Sequence, residues 1–208
     1  MTDEELFAAS YDVSRETMER LRIYERLLKK WTNAINLVSK STVPQIWRRH
    51  FLDSAQVFSE IPSGSKSLCD FGSGGGFPGL VISALAAEKN PKLLVSLIES
   101  DVRKASFLMT AAREMGLNVV VNADRVENIP ARGADVITAR ALAPLANLLE
   151  MAELHMRVGG TALFLKGARY KVELDSALQM WNFQVSEQES ATSEESALLT
   201  ITDLRRAT

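Results

Sequence analysis

A short apolar run, Ser67-Leu68-Cys69, leads into Asp70-Phe71-Gly72-Ser73-Gly74-Gly75-Gly76-Phe77-Pro78-Gly79. Few folds accommodate such a segment. Glycines at 72, 74 and 76 remove the Cβ where the chain must turn sharply, which leaves the backbone open to close approach by a ligand. The segment reads as a strand, a tight loop and the opening of a helix. It predicts a nucleotide-like ligand at the carboxyl edge of a parallel sheet.

The chain downstream agrees. Apolar runs at 67–71, 93–98, 118–121, 134–138 and 161–165 read as buried strands, and helical patterns at about 78–88, 102–115 and 144–156 lie between them. That alternation predicts an α/β fold with a doubly wound, mainly parallel sheet. Val158-Gly159-Gly160-Thr161 reads as a turn before the fifth strand. Residues 181–186 and 197–202 read as an edge hairpin, and the polar, acidic residues 186–196 as a loop.

Upstream, Leu21, Tyr24, Leu28, Trp31 and Ile35 recur at helical steps, predicting one amphipathic helix over 14–37 with Ser14 as N-cap. A second helix is expected from about Thr42 to Phe58, with Pro44 in its first turn. Ile61-Pro62-Ser63-Gly64 breaks the pattern. The expected division is a helical cap over 1–62 and an α/β domain over 63–208, forming one unit.

No apolar run approaches the roughly 20 residues a membrane helix needs, and the acidic start lacks the basic region of a signal peptide. The single cysteine, Cys69, allows no internal disulfide, lies in the first strand as buried filler, and suits the reducing cytoplasm. No Cys/His cluster has metal-ligand spacing, and neither a Gly-x-Ser-x-Gly elbow nor a Walker lysine is present. Net charge is only −2, but nine Lys/Arg against three Asp/Glu lie between Ser14 and His50. Between Val172 and Leu204 there are seven Asp/Glu and no Lys/Arg. Such asymmetry fits either one face for a polyanion or a pair of ordinary solvated helices.

The loop satisfies two templates. Gly74-x-Gly76-x-x-Gly79 matches a dinucleotide fingerprint, and Asp70-x-Gly72-x-Gly74-x-Gly76 matches the acid-plus-glycine loop of S-adenosylmethionine-dependent methyltransferases. Asp70 stands where a carboxylate can hold a cation or orient the loop. Glu99, ending the second strand, is placed to accept ribose hydroxyls of either ligand. Val126 follows the third strand, where an adenine can lie against it. Arg140 ends the fourth, to pair with a carboxylate or phosphate, stack on a base, or form a structural ion pair with Glu127 or Glu99. Of the two histidines, His155 is expected on a helix far from these loops, in a structural role.

Several separate stretches together resemble the bacterial 16S ribosomal RNA guanine-N7 methyltransferases, the glucose-inhibited division protein B family. They are Trp31-x-x-x-Ile35-Asn36-Leu37, Arg49-His50-Phe51-Leu52-Asp53-Ser54, the loop 70–79, Arg103-Lys104-x-x-Phe107-Leu108, Arg125-Val126-Glu127, Asp135-x-Ile137-x-x-Arg140-Ala141 and Leu165-Lys166-Gly167. The resemblance spans residues 24–167 and is poor over the last 40 or so residues.

It implies a class I methyltransferase fold of Rossmann-like type, S-adenosylmethionine as methyl donor, and methyl-donor contacts at Gly72, Phe77, Val126, Glu127 and Arg140. Gly74 joins them from the loop reading, and Glu99 is placed at the ribose by looser analogy. The implied acceptor is a guanine in the 530 loop of 16S ribosomal RNA, free or in the small subunit. Guanine N7 carries an in-plane lone pair and no proton, so no proton-transfer residue is nominated. Arg140, Lys166 and His50 are the candidates for holding the guanine, and Lys29, Lys30, Arg48 and Arg49 for gripping the RNA backbone. The expected protein is a cytoplasmic monomer without metal or membrane. A nicotinamide-dependent oxidoreductase and a nonenzymatic nucleotide- or RNA-binding module are the alternatives.

Overall fold

The computed structural model describes residues 1–207. Seven strands form one sheet: β1 (Ser67–Phe71), β2 (Leu94–Ile98), β3 (Val119–Asn122), β4 (Ala134–Arg140), β5 (Met156–Lys166), β6 (Trp181–Ser190) and β7 (Ser193–Arg206). Their order is β3-β2-β1-β4-β5-β7-β6. The first five run parallel, and β7 joins β5 antiparallel. Strand order reverses beside β1, so the carboxyl ends of β1, β2 and β4 open onto one crevice.

Side chains alternate along each strand and split the core in two. Leu68, Val95, Leu97, Val136, Leu163 and Leu198 face one layer. Cys69, Phe71, Ile137, Ala139, Phe164 and Leu199 face the other. The first layer is covered by α1 (Asp3–Tyr11), α2 (Arg15–Thr32), α3 (Asp53–Ser59), α4 (Gly79–Lys89) and α5 (Val102–Glu114), and the second by α6 (Leu145–His155) and α7 (Tyr170–Ala177). The N-terminal helices therefore share one apolar core with the sheet.

Several sequence expectations are corrected, among them the turn expected at Val158-Gly159-Gly160-Thr161, which lies within β5. Helix α1 is additional: a capping box between Thr2 and Glu5 starts it, but Phe7 is its one buried residue, so no apolar stripe announces it. Helix α2 stops at Thr32 rather than 37, where the Trp31 carbonyl accepts from Ala34 and Ile35 in a closing turn. The single helix expected over 42–58 is three pieces: a 3-10 turn at Lys40–Gln45 containing Pro44, a wide π-type turn at Trp47–Leu52, and α3. The wide turn buries Trp47, His50, Phe51 and Leu52 together and leaves Arg48 and Arg49 exposed.

A further correction concerns 186–196, where β6 and β7 continue to a tip at 191–192. Glu187 pairs with Leu199, Gln188 with Leu198 and Glu189 with Ala197. Strand β6 is an outer edge, and beyond Val185 it has little to bury, so residues 186–190 show no apolar alternation. Its charges guard the edge against further pairing. Helix α7 was also unforeseen, because it buries only Leu174 and Ala177.

Candidate active site

The glycine loop is braced from both sides. Asp70, fully buried at the end of β1, accepts from Thr138 Oγ1 at 2.8 Å and from the Gly79 N–H at 3.2 Å. Burial pushes its carboxyl up to about 6, against the pull of hydrogen bonds from Ser73, Thr138 and Gly79. Of the two roles open to Asp70, it orients the loop and the start of α4. From outside, the buried Tyr24 hydroxyl donates to the Gly75 carbonyl. A Cβ at Gly75 would stand 2.9 Å from the Leu37 carbonyl oxygen, so the N-terminal layer leans directly on the loop.

Glycines 72 and 74 differ in purpose. Both have φ near +60°, at 60° and 56°. A Cβ on Gly72 would meet Leu142 Cδ1 at 2.5 Å, a packing constraint. A Cβ on Gly74 would have only the Gly72 carbonyl oxygen, at 3.7 Å, within 4 Å. Gly74 thus turns its bare side to open space. Its N–H donates to Glu99 Oε2 at 2.8 Å, and Glu99 Oε1 accepts from the Asp101 N–H at 2.8 Å. Glu99 is 6% exposed and ties the loop to the end of β2, with lone pairs left for a further donor.

Phe77 is also a surprise. Its ring is buried, stacks on His50 with centroids 4.8 Å apart, and lies beneath the Arg140 guanidinium at 4.8 Å. Any ligand contact at Phe77 falls to its backbone. Val126 is buried in the second core layer, whereas Glu127 is exposed. The Val126 carbonyl accepts from His155 Nε2 at 2.9 Å, and the His155 ring stands edge-on to Phe71 at 5.5 Å. His155, expected far from the loops, therefore fixes one of them. Burial lowers its pKa and keeps it neutral, with Nδ1 unpartnered among the described residues.

Arg140 pairs with neither Glu127 nor Glu99. It donates to Asp53 Oδ2 at 3.2 Å and to His50 Nδ1 at 2.9 Å. Because Arg140 can only donate, His50 accepts at Nδ1 and carries its proton on Nε2, which donates to Thr42 Oγ1 at 2.9 Å. Thr42 in turn donates its hydroxyl hydrogen bond to the Ser39 carbonyl. Burial, then the charges of Arg140 and Arg49, lower the His50 pKa to about 3.

Asp53 was not singled out as a site residue, yet it joins three elements. Its Oδ1 accepts from Ser190 Oγ at 3.0 Å, Thr192 Oγ1 at 3.1 Å and Gln56 Nε2 at 3.0 Å. The β6–β7 tip is thereby latched to α3 and, through Arg140, to β4. The Arg-His-x-x-Asp spacing carried the signal: residues three apart on a helical turn share a face.

Lys166 is buried. Its Nζ meets Glu173 Oε2 at 2.6 Å and donates to the Ala143 carbonyl at 2.9 Å. Arg140, His50 and Lys166 nonetheless come together with Arg49, Asp53, Arg169, Thr192, Ser193 and Ser196 around a cleft of about 560 Å³ beside the glycine crevice. Of the four nominated backbone-gripping residues, Arg49 alone lines it. Lys29 and Lys30 lie on the last turn of α2, and Lys29 pairs with Glu25 at 2.8 Å.

Comparisons with known proteins bear on the family and the fold. The family model described as rRNA small subunit methyltransferase G matches residues 17–200. A ribosomal RNA small subunit methyltransferase G of Ruegeria sp. (strain TM1040) is 49% identical over 94% of this chain and 95% of its own. The protein of the same name from Rhodospirillum centenum is 47% identical over 95% and 89%. In fold, the chain resembles a putative class I S-adenosylmethionine-dependent methyltransferase from Listeria monocytogenes, with TM-score 0.65, 12% identity and coverage of 92% and 69%. It also resembles a methyltransferase of the same dependence from Aquifex aeolicus, with TM-score 0.57, 15% identity and coverage of 80% and 98%. Family membership decides between the two templates the loop satisfies, and extends through most of the C-terminal region whose sequence looked divergent. The chain belongs to the rRNA small subunit methyltransferase G family.

Proposed function

We propose that this chain methylates N7 of a guanine in the 530 loop of 16S ribosomal RNA, with S-adenosylmethionine as methyl donor. S-adenosylmethionine supplies an electrophilic sulfonium methyl group. The crevice residues fit such a ligand: the bare side of Gly74 is open, Glu99 retains acceptor capacity for ribose hydroxyls, and the buried Asn122 amide nitrogen at the end of β3 has no partner among the described residues.

The observation that carries the choice of N7 is the engagement of His50 and Asp53, the two bases beside Arg140. His50 offers no free lone pair, Asp53 accepts four hydrogen bonds, and Glu173 is bound to Lys166 and to the Leu145 N–H. An acceptor atom that must lose a proton would find neither His50 nor Asp53 free to take it. Guanine N7 needs no base, so these residues have to bind, orient and exclude water. Lys29, Lys30 and Arg48 extend a basic surface outward for the RNA backbone in this reading.

Single-turnover methylation is expected to be nearly flat between about pH 7 and 9, because no proton leaves the acceptor. Asp70, at about 6, and His50, at about 3, both titrate below this window. A basic limb that vanishes when one side chain is replaced would contradict the proposal. Folding behaves differently. Unfolded His50 takes up a proton below its ordinary pKa of 6.5, whereas the folded residue resists until about 3. Its contribution therefore weakens stability as pH falls through that interval. Urea midpoints against pH should drop less steeply below 6.5 in a His50→Gln variant.

Glu99→Ala should weaken S-adenosylmethionine binding by about 1–3 kcal/mol, the range for losing charge-assisted hydrogen bonds. S-adenosylhomocysteine, with the same ribose, should weaken in parallel by calorimetry. Unequal losses would remove the ribose assignment.

A further inference from the structure

Among the described residues, four cations line the cleft, Arg49, Arg140, Lys166 and Arg169, against two carboxylates, Asp53 and Glu173. The carboxylates are already matched, Asp53 to Arg140 and Glu173 to Lys166. These pairs form the buried part of the cleft, where both lysine and arginine are largely withdrawn from solvent. What remains is one positive charge on each of two other elements. Arg49 rises from the wide turn at Trp47–Leu52 and donates only to the Thr192 carbonyl, at 3.2 Å. Arg169 stands in the connection from β5 to α7, where its side chain has no ion pair among the described residues. Both residues are exposed.

A neutral base alone does not call for two unmatched guanidinium groups. A nucleotide within a strand brings one phosphodiester on each side, and Arg is the side chain best shaped to grip phosphate oxygens in pairs. We infer that Arg49 and Arg169 bind the two phosphodiesters that flank the target guanosine. The cleft then admits a single nucleotide turned out of its strand, as sequence-specific RNA recognition commonly requires. The inference rests on the methyltransferase reading above and adds to it the residues that position the acceptor. Arg140 and Lys166 keep structural tasks, holding the N-terminal layer and α7 in place.

The test uses the full chain and small ribosomal subunits lacking the methyl group. Methylation is followed at several salt concentrations for wild type, Arg49→Gln, Arg169→Gln and the double variant. Each single variant should raise KM for the subunit about tenfold, as expected for losing a charged hydrogen bond, with kcat and S-adenosylmethionine affinity unchanged. The dependence of log KM on log salt should flatten by about 0.7 per arginine, the value for one single-strand phosphate contact. Arg169→Lys should recover most of the salt slope, because it restores the charge, but only part of the affinity. Lys92→Gln, an exposed charge remote from the cleft, serves as the control. A double variant with wild-type KM and salt slope, and intact methylation, overturns the inference. Absence of methyl transfer by the wild-type chain would instead overturn the reading beneath it, and the inference with it.

Discussion

Asp53→Ala is expected to destabilise the fold by about 3–5 kcal/mol, the cost of stripping one partner from a buried ion pair. Arg140 and Asp53 side chains are only 18% and 13% exposed, so water compensates little for the lost contact. The same change orphans Ser190 and Thr192, which latch the β6–β7 tip, and frees Gln56. Urea unfolding reads the loss directly. Asp53→Asn keeps an oxygen for the hairpin hydroxyls but drops the charge facing Arg140, so it should fall between alanine and wild type. Removing both charges with apolar residues, as in Asp53→Leu with Arg140→Met, should cost less than Asp53→Ala alone, because no guanidinium is then buried unpaired. If Asp53→Ala unfolds within about 1 kcal/mol of wild type, Asp53 is not the joint between the cap, β4 and the hairpin.

Gly74→Val is expected to reduce S-adenosylmethionine affinity at least a hundredfold. A branched side chain at φ 56° is strained, and its methyl groups enter the open side of the loop that the ligand must approach. Backbone strain alone is separable from blockage. Gly133 has φ 58° with nothing within 4 Å of its Cβ position and lies in the connection before β4. Gly133→Val should match the stability loss and leave binding intact. Calorimetric titration of both variants tells them apart. Near-wild-type affinity in Gly74→Val would place the ligand elsewhere.

The parallel strands and the loop were legible because buried strands and a glycine turn each carry a local pattern. So was the meeting of β1, β2 and β4, since topology follows from strand–helix alternation. Side-chain commitments were not legible. Arg140, His50 and Lys166 look like free reagents in sequence, but Asp53 lies 87 residues from Arg140. Thr42 and Glu173, though near His50 and Lys166 in sequence, reach them only across turns whose geometry the residue pattern does not show. Spacing cannot show which of several acids an arginine will find. His155 is on a helix and structural as expected, but its closeness to the 126–127 turn was not legible, because that distance is set by packing on Phe71. The edge hairpin was expected, but its acidic outer end over 186–196 was hidden by its position, since an edge strand needs no apolar alternation. Helices α1 and α7 bury too few residues to leave a stripe.

The position of the transferred methyl group on the ribosomal RNA tests the proposed guanine N7 chemistry most directly. Small subunits lacking the modification are incubated with the chain and isotopically labelled S-adenosylmethionine. Their 16S RNA is then digested and analysed by mass spectrometry. The expected product is one N7-methylguanosine within the 530 loop. A label on another atom, on a nucleotide outside that loop, or on no nucleotide of either free RNA or subunits would contradict the account.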